Sequence, residues 1–396
     1  MKNILCVLLL SIILCSCSPV KNILQAGSLK QTDFVEKIPF NFDNGVPVIQ
    51  VSIGGKSYNF LLDTGAPTVL STELAAILNL KAQTNSTTAD SQGNKNKEEL
   101  VVIPNIQIGK LSFENTGALV MDIHKVFEMR CLKFDGIIGA NQMAKAIWQL
   151  DYKNRLVTIS NDLSNFTIAE NTAVVDFSPK KIQNTPLVPI KIGNKTTLVT
   201  FDTGSNGSLY LGASGYKEVI KDFKSIQSYG STSAGLYGGR KDLTNIHSKV
   251  PALEMGPVVL KDQVFEFREN GSSILGNRFL KNYKVVIDWN THKIYMTKES
   301  EFDETKLKRF GFNVKFVNNK PVVGAIYKNS DAEKAGLLLS EEIVDIDGTD
   351  LSNLTEDEAC SYAFKSITAG KDTAKVTILR AGKKVEFNLR SSILLE

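Results

Sequence analysis

Asn59-Phe60-Leu61-Leu62-Asp63-Thr64-Gly65-Ala66 and Leu198-Val199-Thr200-Phe201-Asp202-Thr203-Gly204-Ser205 carry one pattern twice: an apolar run that ends in Asp-Thr-Gly. At average residue usage a given triplet arises by chance about once in several thousand positions, so one copy says little. Two copies are another matter. Each closes a run that reads as a buried strand, and each sits inside a longer repeat.

The repeat extends outward without a gap. Val46-Pro47-Val48-Ile49-Gln50-Val51-Ser52-Ile53-Gly54-Gly55-Lys56 lies over Thr185-Pro186-Leu187-Val188-Pro189-Ile190-Lys191-Ile192-Gly193-Asn194-Lys195. Both read as an alternating strand, a Gly-containing turn, and a second strand that delivers the Asp. Farther on, Asp135-Gly136-Ile137-Ile138-Gly139 answers to Ser273-Ile274-Leu275-Gly276. The distance from Asp63 to Gly139 is 76 residues (139 − 63), and from Asp202 to Gly276 it is 74 (276 − 202). Each copy closes with a strand pair, Gln149–Tyr152 and Leu156–Ile159 in the first, Val286–Trp289 and Lys293–Met296 in the second. Internal symmetry on this scale implies two homologous β-rich lobes.

The pairing of apolar-apolar-Asp-Thr-Gly with a later apolar-apolar-Gly, once per lobe, resembles the pepsin and retropepsin superfamily of aspartic proteases over roughly residues 38–298. The resemblance implies a mainly β, bilobed enzyme with its cleft between the lobes. It implies that Asp63 and Asp202 are the catalytic pair and that the Thr64 and Thr203 hydroxyls bond across to the opposite lobe. Gly65 and Gly204 then permit the tight approach, Gly139 and Gly276 pass close behind each turn, and Ser205 supports its own turn. Two carboxylates forced together cannot both ionise easily, so such a pair holds one proton between them and can supply both a base and an acid. A decayed, non-catalytic version of the same fold is the competing reading. In the family a hydroxyl after the triplet donates to its own carboxylate. Lobe two has Ser205 and lobe one Ala66, an asymmetry expected to keep the shared proton to higher pH.

Around these motifs, Thr72–Leu80 reads as a short helix and 84–99 as the flap-like hairpin, with Asp90-Ser91-Gln92-Gly93-Asn94 as its turn. Strands follow at Leu100–Ile103 and Asn105–Ile108. The lobe-two counterpart is Tyr229–Arg240, where Gly230, Gly235, Gly238 and Gly239 surround Tyr237. It reads as a flap or as a plain irregular loop. The lobe-one stretch carries no Tyr, unlike the pepsin pattern.

The N-terminus is a targeting segment. Lys2 precedes an apolar run, Ile4–Leu14, that is too short to span a bilayer. Leu14-Cys15-Ser16-Cys17 resembles a bacterial lipobox, which implies a signal peptide over 1–16, acylation of Cys17 and a lipid anchor in the cell envelope, at the outer membrane, facing periplasm or surface; an ordinary secretory signal is the alternative. Residues 17–36 then read as a tether. Of the five cysteines, three would remain after processing. Cys131 and Cys360 fall in what read as different domains and are expected as packing residues without a disulfide.

Lobe one is assigned to 37–165, lobe two to 172–298, and a charged linker to 299–307. A small α+β unit follows over 308–392. Within it Ser330-Asp331-Ala332-Glu333 and Thr355-Glu356-Asp357-Glu358 are capping boxes opening helices. Ile343–Ile346, Ala374–Leu379 and Val385–Leu389 read as strands. The order Ala332-Glu333-Lys334-Ala335-Gly336-Leu337 then Glu341-Glu342-Ile343-Val344-Asp345-Ile346-Asp347-Gly348 resembles a PDZ domain of the bacterial protease type, although Ser340-Glu341 stands where that family has Gly-Asp. The resemblance implies that Gly311 and Phe312 belong to a carboxylate-binding loop and that a C-terminal peptide ligand adds beside the helix from Thr355.

With 46 basic and 42 acidic residues and no basic stripe, nothing points to nucleic acid. His124, His247 and His292 show no metal-ligand spacing, so no metal or cofactor is expected. No Gly-x-Ser-x-Gly element supports a serine hydrolase. The reading is an aspartic endopeptidase acting on polypeptide as a monomer, since one chain supplies both Asp residues. A peptide-binding lipoprotein on the same fold, or an envelope scaffold, is the alternative.

Overall fold

The computed structural model describes residues 19–239, 244–269 and 271–396. The signal segment 1–16 and Cys17 lie outside the described residues, as does the Arg240 end of the lobe-two flap-like stretch. The chain is mainly β, and its two repeats build the same object twice. In lobe one the hydrogen-bonded order is Val48–Ile53, Lys56–Asp63, Gly136–Gly139, Val69–Ser71, Leu111–Met121, Lys95–Ile108 and back to Val48–Ile53. Lobe two runs Pro186–Ile192, Lys195–Phe201, Ile274–Leu275, Leu209–Gly212, Val258–Arg268, Thr244–Met255 and back. Both rings close, which removes exposed sheet edges. In each ring the strand that ends in the triplet Asp pairs in parallel with the later apolar-apolar-Gly strand. In lobe one that pairing buries the end of the strand on both faces, which explains why Phe60, Leu61 and Leu62 form an unbroken apolar run, whereas in lobe two Leu198 stays exposed. Pro186–Ile192, by contrast, alternates, with Val188, Ile190 and Ile192 inside.

The closing strand pairs of the two repeats join the lobes. A six-stranded sheet runs Ala173–Asp176, Lys293–Lys298, Tyr283–Asp288, Ile147–Asp151, Leu156–Ser160, Val35–Pro39, and reads alike from either end. At its centre Trp148 faces Ile287 and Leu150 faces Val285 in antiparallel register. One apolar cluster holds Phe60 and Trp148 of lobe one with Phe201, Phe267 and Ile287 of lobe two. The lobes therefore share a core.

Residues 19–36, expected as a tether, lie against lobe one. Pro19–Gln25 is a helix with Leu24 buried, and Asn141 Nδ2 donates to Leu24 O at 2.8 Å. Ser28–Leu29 adds to Leu111–Met121. The scattered apolar positions of this segment, Val20, Ile23 and Leu24, are what pack it.

The third unit has its own core, including Phe312, Val323, Ile326, Ile343, Ile346, Val376 and Phe387. Its strands are Phe312–Val317, Lys320–Tyr327, Glu342–Ile346, Thr373–Arg380 and Lys383–Arg390. The helix Asp331–Lys334 is capped by Ser330 and the helix Glu356–Phe364 by a full capping box at Thr355 and Glu358. Leu307–Arg309 pairs with Ser392–Leu395, so the unit closes on its own ends and reaches slightly past the expected 308–392.

This unit does not stand apart. Ser228–Gly230 of lobe two pairs with Ala325–Tyr327, which makes one continuous sheet of the two. On the other side Cys131 and Cys360, 229 positions apart in sequence, form a disulfide with Cα atoms 5.1 Å apart. The expectation of two unbridged cysteines is overturned. It rested on their lying in separate units, and the docking of those units left no local mark in the sequence. The expected linker 299–307 is likewise held: Val264 N donates to Glu304 O at 2.8 Å, and Arg278 Nε lies 2.7 Å from Glu304.

Candidate active site

The two Asp-Thr-Gly turns meet on the approximate two-fold axis. Thr64 N donates to Thr203 Oγ1 and Thr203 N donates to Thr64 Oγ1, both at 3.1 Å. The hydroxyls then donate onward, Thr64 Oγ1 to Phe201 O at 2.5 Å and Thr203 Oγ1 to Leu62 O at 2.9 Å. Both threonines are fully buried. Each hydroxyl thus accepts one backbone proton from the opposite lobe and donates to an opposite backbone oxygen. All four backbone groups are satisfied only while the turns stay in register.

The carboxyls sit directly above. Asp63 Oδ1 accepts from Gly65 N at 2.7 Å and Ala66 N at 3.1 Å, and Asp202 Oδ1 accepts from Gly204 N at 2.9 Å. Gly65 and Gly204 are required by the opposite carboxyl. A Cβ on Gly65 would lie 2.7 Å from Asp202 Cγ, and one on Gly204 would lie 2.3 Å from Asp63 Cγ. Behind the turns, a Cβ on Gly139 would lie 2.1 Å from the Pro67 carbonyl carbon, and one on Gly276 2.6 Å from Gly207 O. The structure thus brings Asp63, Asp202, Thr64, Thr203, Gly65, Gly204, Gly139 and Gly276 together.

Burial pushes both carboxyls up. Asp202 stands well above the ordinary carboxylate range, first because it is buried and next because the Asp63 charge faces it. For Asp63 burial is opposed by the Gly65 and Ala66 amides, which favour its charged form. The pair therefore keeps one proton between its two carboxyls to a pH at which a free Asp has lost it.

Ser205 departs from the expectation. Its Oγ accepts from Gly207 N at 3.3 Å, and the bonds that hold Asp202 come from backbone amides. The hydroxyl serves the turn that follows, where a Cβ on Gly276 would also lie 2.8 Å from it. The Ala66/Ser205 asymmetry therefore does not set the proton affinity of the pair. Burial, mutual charge and the hydrogen bond between the two carboxyls do.

Over the turns, two jaws meet. Thr84–Ala89 and Lys95–Ile108 form a hairpin whose Asp90–Asn94 turn is pinned by Asp90 Oδ1, which accepts from Gln92 N at 3.0 Å and Asn94 N at 2.9 Å. The two strands expected at 100–103 and 105–108 are one continuous strand, because Pro104 falls where no ladder bond is needed. Facing the hairpin is the lobe-two loop 231–239. Tyr237 N donates to Asp90 Oδ2 at 3.0 Å, the Tyr237 hydroxyl bonds Thr88 Oγ1, and Asn94 Nδ2 donates to Gly238 O at 3.3 Å. Gly235 is tight for the same reason: a Cβ there would lie 2.4 Å from Asp90 Oδ2. Leu236 and Tyr237, like Ala66, Met129 and Leu132, pack against the buried lobe-one cluster that includes Leu61, Val69 and Ile137. The lobe-one hairpin has no Tyr of its own, and the Tyr bonded to it, Tyr237, comes from lobe two.

Sequence reasoning passed over Tyr152 and Asn277. The Tyr152 hydroxyl donates to Asn277 Oδ1 at 2.8 Å across the lobes, and Asn277 Nδ2 donates to Thr203 O at 2.6 Å. Burial first and then the Asp202 charge hold the Tyr152 phenol protonated. Its signal was the matched Asp151-Tyr152 and Asp288-Trp289 at the closing hairpins, since Trp289 is tied similarly, donating to Asn184 O at 2.9 Å. Gly311 and Phe312 lie far along the chain in the third unit. Gly311 has φ +95° and its carbonyl accepts from Tyr327 N at 2.8 Å, while Phe312 is buried in that unit's core.

Residues 49–142 match the family model described as aspartyl protease. The span holds the lobe-one triplet and Gly139, and it supports a retropepsin-like aspartyl protease domain there. No curated protein matches the chain.

Proposed function

We propose that the chain is an aspartic endopeptidase in which Asp63 and Asp202 act as one device. The observation that carries this reading is a symmetric pair of carboxyls, facing each other across turns that are locked together, both pushed above the ordinary carboxylate range by burial. A binding cleft has no need of two buried acids at such a cost in proton affinity. In the forward step a water adds to the scissile carbonyl carbon. Ionised Asp63 takes the water proton while protonated Asp202 gives its own to the carbonyl oxygen. The resulting gem-diol collapses as Asp63 passes its proton to the leaving nitrogen and Asp202 recovers one from a diol hydroxyl. Both acids end in their starting states. The Asp90 turn and the Tyr237 loop must part for a polypeptide to reach the pair, so extended or unfolded chains are the substrates that fit.

The third unit, read as a PDZ-like module, would recruit polypeptide by strand addition at Gly311, Phe312 and the strand they begin. Cys17 would carry acyl chains that hold the mature protein at the envelope membrane. The Cys131–Cys360 bridge supports an oxidising compartment. The test of the catalytic reading is incubation of the purified mature chain with an acid-unfolded protein from pH 3 to 8, alongside Asp202→Asn. Cleavage by the first alone supports it. Binding without cleavage by either would make the chain a peptide-binding lipoprotein.

A further inference from the structure

Phe312–Val317 pairs only with Lys320–Tyr327 among the described residues, so its other edge carries backbone groups that no strand covers. The helix Glu356–Phe364 packs against this strand, and the seam between them is filled by a piece of lobe one. Phe127 and Cys131, on the helix Phe127–Leu132, share an apolar cluster with Phe316 and Ala359. The Phe127 ring stacks on Phe316 with centroids 5.6 Å apart and planes 21° apart. Arg130 Nε lies 2.9 Å from Glu356, Lys133 Nζ lies 2.8 Å from Asp357, and Cys131 is bonded to Cys360.

We propose that the Cys131–Cys360 bridge is a redox latch on a polypeptide-binding groove. Oxidised, it keeps the lobe-one helix 127–132 seated between strand 312–317 and helix 356–364. Reduced, it lets that helix leave so that an extended chain can add to the open strand edge. The proposal rests on the reading of the third unit as a peptide-binding module. Apart from the covalent bond, the seat is one buried aromatic pair, a few apolar neighbours and two ion pairs with solvent-exposed partners, which salt weakens. An incoming strand would offer ladder hydrogen bonds that the helix cannot. While the bridge stands, no competitor can win. Once it is gone, the helix still competes as a tethered neighbour, so release is partial and set by the concentration of the incoming chain.

The chemistry is thiol–disulfide exchange with a dithiol. Cys131 is buried and Cys360 half-buried, so a thiolate reaches Cys360 Sγ first. A mixed disulfide forms there, and Cys131 leaves as a thiolate that takes a proton. The second thiol of the reductant then displaces Cys360 and closes the reductant's own disulfide. Two electrons and two protons pass to the bridge, and the dithiol is oxidised.

The test uses the full mature chain in three states: oxidised, reduced by dithiothreitol, and as the Cys131→Ser/Cys360→Ser variant without reductant. Amide hydrogen exchange is read at residues 312–317 and 127–132. Binding is read with a fluorescein-labelled extended peptide of alternating Val and Thr with a free C-terminal carboxylate. Exchange at both segments should rise at least tenfold on reduction, the probe should bind at least tenfold more tightly, and the variant should match the reduced protein. Exchange that is unchanged, or that rises throughout the chain, would make the bridge a plain staple and overturn the latch. Exposure of the groove without probe binding would overturn the peptide-binding reading of the unit instead.

Discussion

Gly204→Ala places a methyl carbon 2.3 Å from Asp63 Cγ and 2.4 Å from Asp63 Oδ2. Carbon atoms in contact rest about 3.5 Å apart, so the carboxyl has to retreat by about 1.2 Å. It has little room to do so, because Gly65 N and Ala66 N hold Oδ1 at 2.7 and 3.1 Å. Moving it that far breaks at least one hydrogen bond to a charged group, about 1.5–3 kcal/mol. A reacting group misplaced by about 1 Å loses about 10²-fold in rate, so kcat should fall by about 10²- to 10³-fold. Overpacking should cost about 1–3 kcal/mol of stability, small enough to leave the protein folded. Gly65→Ala should act in the same direction and less severely, since its methyl would meet Asp202 Cγ at 2.7 Å. Gly54→Ala is the control: its φ is +60° with nothing within 4 Å, so it costs backbone strain alone and leaves kcat intact. The assay is turnover of a quenched peptide, with melting curves on the same samples. A folded Gly204→Ala enzyme within threefold of wild-type kcat would refute the reasoning, because the carboxyl would then be free to sit elsewhere.

Both carboxyls of the pair titrate above the ordinary Asp value, so the folded state binds protons more tightly than the unfolded chain, and stability falls as pH rises from about 4 through the pair's folded pKa. Asp202→Asn removes that cost: its Tm should exceed the wild-type value at pH 7, with the gap closing below about pH 4 in a pH series of melts. Thr64→Ala strands the buried Thr203 N–H and Phe201 carbonyl and should cost about 2–5 kcal/mol in denaturant unfolding, whereas Thr64→Ser keeps both bonds and should cost about 1 kcal/mol. Deleting residues 306–396 uncovers Phe127 and frees the Ser228–Gly230 edge, so the remaining lobes should aggregate on size-exclusion chromatography instead of standing alone as a soluble core.

What the sequence disclosed was whatever repeats or alternates. The doubled Asp-Thr-Gly, the later Ile-Ile-Gly and Ile-Leu-Gly, and the closing hairpins each have a mate, and each pair takes equivalent places in the two halves of the fold, the first two in the barrels and the hairpins in the sheet that joins them. Strand periodicity located Pro186–Ile192, and capping chemistry located the helix at Thr355. What stayed hidden depends on contacts between units. Cys131 and Cys360 meet because the third unit docks on lobe one, and no local pattern records a docking. The packing of Pro19–Gln25 turns on three apolar residues in a polar stretch, too few to show a period. The Ser205 hydroxyl was assigned by analogy to Asp202, but the local turn claims it through Gly207 N.

The central claim is that Asp63 and Asp202 are one catalytic unit sharing one proton. It is tested most directly by kcat/KM for Asp63→Asn, Asp202→Asn and the double variant, each verified as folded, on one unfolded polypeptide near the wild-type pH optimum. Groups that act as a unit lose everything with the first removal, so all three variants should fall to the same residual level. Substantial turnover in either single variant, or a double variant far worse than both, would contradict the account.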